Sequence, residues 1–274
     1  MFKRDRFGPA ALAAVVLAAL AGGASASVFI SNSAARFTQQ SSAAGASPVY
    51  VAGFNQSIVY SPSSPGDFTD ASVAVPDSTT RPLINNGLGD YYAQQSALDE
   101  SAEPTLQPTG VYTFSVQGGT LGDGSVSITQ PSISFPTILS LTNYNALLTA
   151  DPAASFIGTL SPTVTDPAWS LARTFIQITD LTDSIGVLGT VIDYTDVGFV
   201  IPAGSLVAGH DYQLRLQTIS YIFLQTSDAS GSLADASALT SRISVTDIRF
   251  TAIPAPGSAA LLALAGLGAL RRRR

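Results

Sequence analysis

Cysteine is absent from the 274 residues, which removes thiol catalysis, cysteine metal sites, disulfides and a lipid anchor on an N-terminal cysteine. The fold must therefore be held by an apolar core. Histidine occurs once, as His210, and tryptophan once, as Trp169. One histidine without cysteine cannot make a usual zinc site. A Ser-His-Asp triad is arithmetically possible but lacks a Gly-x-Ser-x-Gly elbow to support it. Following Gly209 in an expected turn, His210 reads as a solvated loop residue. Basic side chains are also scarce. Between the two ends they are Arg36, Arg81, Arg173, Arg215, Arg242 and Arg249, with no lysine. The whole chain carries a formal charge of −6; without its basic ends, net +2 over residues 1–26 and +4 over Arg271–Arg274, the remainder stands at −12. Such a surface repels a phosphate backbone, so nucleic acid is not an expected partner, whereas solubility and cation binding are favoured.

What the chain does have is two apolar ends. Lys3, Arg4 and Arg6 precede an unbroken apolar run from Ala10 to Leu20, and Ala24-Ser25-Ala26 is a small-x-small site. That is the plan of a secretory signal peptide over 1–26, cut between Ala26 and Ser27, and it predicts passage through the secretion machinery. At the other end Gly257 to Leu270 is apolar and four arginines follow. As a helix this run is about 21 Å long against a hydrocarbon core of roughly 30 Å, a marginal span. Arginines that cannot lose their charge orient it with the C-terminus in the cytoplasm.

Between the ends the text is Val, Ile, Thr, Tyr and Phe in short runs punctuated by Gly, Pro, Asp and Ser, an all-β pattern with no internal repeat. Val111 to Val116 places Tyr112, Phe114 and Val116 on one face, and pairs through a longer loop with Ser125 to Ile128 as an expected hairpin. Phe175 to Ile178, Gly198 to Ile201 and Tyr212 to Gln217 are further strands; the last is apolar at even positions and polar at odd ones, so one face is buried and one wet. In Ile243 to Phe250 the apolar positions change from odd to even near Asp247, which predicts a bulge there. Val49–Val51, Ser57–Tyr60 and Ala71–Val75 are expected strands of a looser region, and Tyr91 to Ala102 is expected to hold a short helix. A soft boundary near Pro108 divides an N-terminal β-rich region, 27–108, from a β-sandwich, 109–251, with the tail at 252–274.

Catalytic candidates are few. Asp166, Asp180, Asp183, Asp193 and Asp196 could supply the acid and base of a glycoside hydrolase. Asp at strand ends is, however, ordinary turn chemistry, since its carboxylate bonds local N–H groups. The chain is therefore not expected to be an enzyme or to need a cofactor. Calcium is the metal alternative, because it takes several oxygen ligands and extracellular sites can be weak; Asp123, Asp180, Asp183, Asp193 and Asp196 are its candidates. Carbohydrate binding would need exposed flat aromatics, for which Trp169, Tyr144, Tyr194 and Tyr221 are available.

Two segments resemble known families. Leu206-Val207-Ala208-Gly209-His210-Asp211-Tyr212-Gln213-Leu214-Arg215-Leu216 is similar to the entry into strand F of fibronectin type III domains, with Ala208 where proline is usual. The resemblance implies an antiparallel immunoglobulin- or fibronectin type III-like β-sandwich in which Tyr212 is a structural corner. Ile253-Pro254-Ala255-Pro256-Gly257, the apolar run and Arg271, Arg272, Arg273 and Arg274 resemble the tripartite PEP-CTERM sorting signal, with Ala255 where glutamate is common. This implies an exported protein held transiently in the inner membrane, cut near the proline motif by an exosortase-like membrane enzyme, and destined for the envelope, the surface or an exopolysaccharide matrix. A structural or interaction role is then expected, with a calcium- or carbohydrate-binding adhesive module as its rival.

Overall fold

The computed structural model describes residues 28–41, 48–61, 67–85, 90–105 and 107–253. The signal-peptide residues Ala24, Ala26 and Ser27 lie outside them. So do Pro254, Ala255, Pro256, Gly257 and the four terminal arginines. Among the described residues no helix is long and apolar enough to cross a membrane.

The molecule is nearly all β. Its strands are β1 (Phe29–Gln40), β2 (Val49–Tyr60), β3 (Asp70–Ala74), β4 (Thr80–Pro82), β5 (Ile84–Asn85), β6 (Asp90–Ala97), β7 (Gly110–Gln117), β8 (Gly124–Gln130), β9 (Phe156–Thr159), β10 (Leu171–Asp180), β11 (Ile185–Asp193), β12 (Gly198–Ile201), β13 (Asp211–Leu224), β14 (Thr226–Gly231) and β15 (Ser237–Thr251). Among the described residues one short helix, α1 (Tyr144–Leu148), and a 3-10 turn at Glu100–Thr105 accompany them. Eight strands form one long sheet in the order β11-β10-β13-β15-β1-β2-β6-β5. A five-stranded sheet, β14-β8-β7-β3-β4, and a two-stranded one, β12-β9, accompany it among the described residues.

Burial explains the layering. Tyr112, Phe114 and Val116 of β7 and Val126 and Ile128 of β8 pack with Ile30 of β1, Val59 of β2 and Tyr91 of β6, so the five-stranded sheet closes over one half of the long sheet. Ile176 and Ile178 of β10, Leu214 and Leu216 of β13 and Ile248 of β15 pack with Phe199 and Ile201 of β12 and Leu147 of α1, closing the other half. Each such side chain removed from water contributes about 1.5–3 kcal/mol. A third cluster, with Ala35, Ile219, Ile243 and Val245, occupies the opposite face of the long sheet.

The hairpin read from Val111–Val116 and Ser125–Ile128 is the antiparallel pair β7–β8. Gly119, with φ +71°, turns the chain after β7 where an added Cβ would collide with the Asp67 backbone. Two expectations are corrected. Tyr91 to Ala97 is strand, not helix: β6 pairs along β2, and the buried Tyr91 hydroxyl donates to Phe68 O at 2.7 Å. No bulge occurs in β15 at Asp247, since its registers with β13 and β1 run without a shift. The apolar positions change parity there because β15 is central and buried on both faces. Its even residues from Thr240 to Thr246 are buried polar groups rather than wet ones. Bulges fall instead in β2, where Val51 is the extra residue opposite Phe37/Thr38 of β1, and in β11, where Val187 is the extra residue opposite Ile178/Thr179 of β10.

That polar strip has a mechanical role. The connector from β8 to α1 has no ladder of its own, and its backbone groups must find partners elsewhere. Arg36 Nη2 and Ser244 Oγ donate to Pro136 O at 2.6 and 2.7 Å, and Thr246 Oγ1 donates to Leu139 O at 2.6 Å. Gln40 accepts from Leu141 N–H at 2.8 Å and donates back to Leu141 O at 3.0 Å. Strands from both sides of Pro108 share both large sheets, β1 pairing in parallel with β15 and β3 antiparallel with β7. No sheet boundary therefore falls at Pro108.

Candidate functional site

The carboxylates singled out in the sequence fall at four places, with Asp193 and Asp196 sharing one turn and Asp180 and Asp183 another. Asp123, in the β7–β8 loop, accepts Gly118 N–H at 2.8 Å. Asp193, at the end of β11, accepts the N–H and hydroxyl of Thr195 at 3.1 and 3.0 Å and meets exposed Arg173 at 3.3 Å. Asp196 accepts Asp193 N–H at 3.0 Å. Asp166 accepts from the Ser134 hydroxyl at 2.6 Å and Ala168 N–H at 2.9 Å. Asp166 and Asp193 accept the N–H two residues on, as in Asx turns, whereas Asp123 and Asp196 accept N–H groups from earlier in their loops. The bonds hold Asp166 below the usual carboxylate value, chiefly through Ser134, and Asp193 likewise, chiefly through Thr195 N–H.

Among the described residues one group brings three metal-type donors together: Asp180, Asp183 and His210, whose ligand atoms all lie within 4.8 Å of one another. Asp180 ends β10 and is buried; its Oδ1 accepts Thr182 N–H at 2.8 Å and Asp183 N–H at 3.1 Å, which turns the chain. His210 arrives from the other side. Gly209, at φ +86°, takes the left-handed conformation that permits the turn before β13, and Gly209 N–H donates to Ala252 O. The imidazole Nδ1 then lies 2.8 Å from Asp180 Oδ2 and 3.8 Å from Asp183 Oδ2.

The electrostatics follow from that contact. His210 is held above its ordinary value, chiefly by its hydrogen bond to Asp180. Burial pushes the Asp180 carboxyl up, but hydrogen bonds from His210 and from the N–H groups of Asp183 and Thr182 outweigh it, and the net shift is downward. His210 is thus not the solvated loop residue its sequence context suggests. No local signal marks it, because its partner lies thirty residues away.

Beside this pair Tyr212 is buried, its ring stacked on Phe250 at 5.4 Å, and Val207 N–H donates to its hydroxyl at 2.7 Å. The aromatic residues weighed for carbohydrate are mostly inside: Tyr144, Tyr194 and Tyr221 are buried and offer no exposed ring face. Burial pushes the Tyr221 phenol up to about 12. Trp169 is half-buried, packed edge-on against Tyr194 at 5.3 Å.

No protein family model and no curated protein matches this chain. Among solved structures, the FN1–FN3 domains of chicken CNTN1 align at 11% identity over 74% of this chain and 63% of that one, with a TM-score of 0.25. The BSP domain of a biofilm associated protein aligns at 15% identity over 74% of this chain and 28% of that one, at 0.21. The chicken interferon gamma receptor alpha chain aligns at 11% over 64% and 90%, also at 0.21. The chain thus spans less than two thirds of the first two, and overlaps this loose carry no argument about its function.

Proposed function

We propose that this chain is an exported, non-enzymatic surface or matrix protein of structural or interaction type, sorted through its C-terminal tail by an exosortase-like enzyme. The tail carries the sorting half of the reading: Pro254 and Pro256, a short small-residue apolar run and Arg271 to Arg274 make a segment suited to being gripped and cut. The non-enzymatic half draws on one observation. The candidate carboxylates Asp123, Asp166, Asp180, Asp193 and Asp196 each accept a backbone N–H in their own turn. Carboxylates so engaged are fold-forming acceptors.

Intact mass of protein recovered from cells and medium tests the sorting. The expected mature species begins at Ser27 and lacks the residues after the proline motif; mature exported protein that still ends at Arg274 would sink the processing. A calcium-dependent adhesive module is the second reading, favoured by the convergence of Asp180, Asp183 and His210.

A further inference from the structure

The long sheet ends in β11 on one side and in β5 on the other. A strand at a sheet edge offers a row of backbone N–H and C=O groups that its single neighbour does not use. Folded proteins blunt such edges with charge, proline, irregularity or shortness. Among the described residues the other edges follow that rule. β5 has two residues, β9 and β12 have four each, and β4 is the triplet Thr80-Arg81-Pro82. β14 carries Asp228 at φ +52° and loses its register with β8 between Ser227 and Ser230.

β11 is the exception. It is nine residues long, pairs only with β10, and runs from Ile185 to Ile192 without a charge or a proline. In a chain of net charge −6, this is an edge at which two copies can meet without repulsion. Ile185 and Val191 are each 55% exposed. Leu188 and Ile192 pack against the core half that holds Ile176 and Leu214, yet they are only half-buried, so the core is unfinished there. Gly186 and Gly189 carry no side chain, and an added Cβ at either would meet nothing within 4 Å. A groove of about 430 Å³ runs beside them, lined among others by Phe175, Gln177, Val191 and Gln217.

We infer that β11 pairs antiparallel with β11 of a second copy, about a twofold axis at Thr190, joining two long sheets into one. Pairing of one edge with itself about an axis perpendicular to the sheet keeps each face on its own side, so residues of equal parity meet. With the axis at Thr190 the two Thr190 residues are neighbours, Val191 of each copy packs over Gly189 of the other, and Leu188 meets Ile192. Each contact fills what a single copy lacks: Val191 enters the groove beside Gly189, and the Leu188–Ile192 pairs cover the open end of the core. Asp193 falls beside Val187, so no two carboxylates face each other, and it already meets Arg173 at 3.3 Å. An axis at Gly189 would instead set glycine on glycine and the bulged Val187 against Val191. The assembly closes at two copies, because β5 at the far edge is too short to propagate it. It requires neither the sorting tail nor its cleavage.

Sedimentation equilibrium of the full chain tests the pairing. A monomer–dimer equilibrium is expected, with a Kd on the order of 1 μM. Val191→Lys sets a charge on the open edge at an exposed position and should weaken the dimer by about tenfold or more, with the fold retained by circular dichroism. Val200→Lys, at a position of β12 that is 52% exposed, should leave the dimer unchanged. Because the chain lacks cysteine, Thr190→Cys adds a second readout. Directly opposed residues have Cβ atoms about 4.5–5.5 Å apart, close enough for a disulfide after a small shift, so oxidation should give a covalent dimer. Val200→Cys should give none. A wild-type chain that stays monomeric at about 1 mM would overturn the proposal. So would a dimer of unchanged strength in folded Val191→Lys, or folded Thr190→Cys that forms no covalent dimer.

Discussion

His210 Nδ1 lies 2.8 Å from Asp180 Oδ2 and fastens the turn after β10 to the loop that leads into β13. The signs of the two shifts define a pH window. His210 is raised above 6.5, so its contribution is complete below that value and disappears as pH rises through the folded pKa. Asp180 is lowered below 3.8, so its contribution is present above that value and disappears as pH falls through the folded pKa. Urea midpoints should therefore favour wild type over His210→Gln most at about pH 5, with the gap closing as pH rises through the folded pKa of His210. A gap of constant size from acid to alkaline pH would refute the pairing, and comparing the two proteins cancels the general effect of an acidic surface.

Tyr212→Phe keeps the ring on Phe250 and removes only the hydroxyl that accepts Val207 N–H. An N–H that loses its partner costs about 1–3 kcal/mol where water cannot replace it. The expected loss is at the lower end, about 1–2 kcal/mol, because Val207 itself is exposed. Equilibrium urea unfolding should show a lower midpoint at unchanged slope. An unchanged midpoint would show that water serves Val207 as well as the phenol does.

Gln40→Leu tests the stitching of the β8–α1 connector. The substitution preserves bulk but leaves both the N–H and the C=O of Leu141, a fully buried residue, without the bonds Gln40 makes. A loss of about 2–4 kcal/mol is expected, more than for an apolar truncation of similar size on a half-exposed strand face. Hydrogen exchange should rise first in the connector, with β7 and β8 retaining protection. Equal loss of protection throughout would show that the connector unfolds only with the whole.

These residues also mark how far the sequence could be read. Strands with one wet face were legible: Tyr112, Phe114 and Val116 alternate with polar residues, and so do Tyr212, Leu214 and Leu216. β1 was not, although it sits centrally between β15 and β2, because its inward positions include Asn32, Thr38 and Gln40. Their burial follows from a network no local pattern encodes: Asn32 Nδ2 donates to Gln130 Oε1, Ser57 donates to Asn32 Oδ1, and Thr38 donates to Val245 O. β15 misled for the related reason that a strand covered on both faces need not alternate. At the candidate site the turn role of Asp180 was readable from its neighbours, whereas its bond to His210 depends on where two distant strands end.

Ca²⁺ takes six to eight oxygen ligands, typically at about 2.3–2.6 Å. At the converging group Asp180 Oδ1 already accepts two N–H groups and Oδ2 faces His210, leaving exposed Asp183 as the main free carboxylate, with an imidazole nitrogen that calcium does not prefer. At about ten times a weak extracellular Kd of about 1 mM, binding would add about 1.4 kcal/mol, enough to raise the Tm of a chain this size by about 3–6 °C. We expect no such rise with calcium and no fall with chelator in thermal unfolding near neutral pH. A rise in that range, abolished by Asp183→Asn with the fold retained, would instead establish the metal site and favour the adhesive reading.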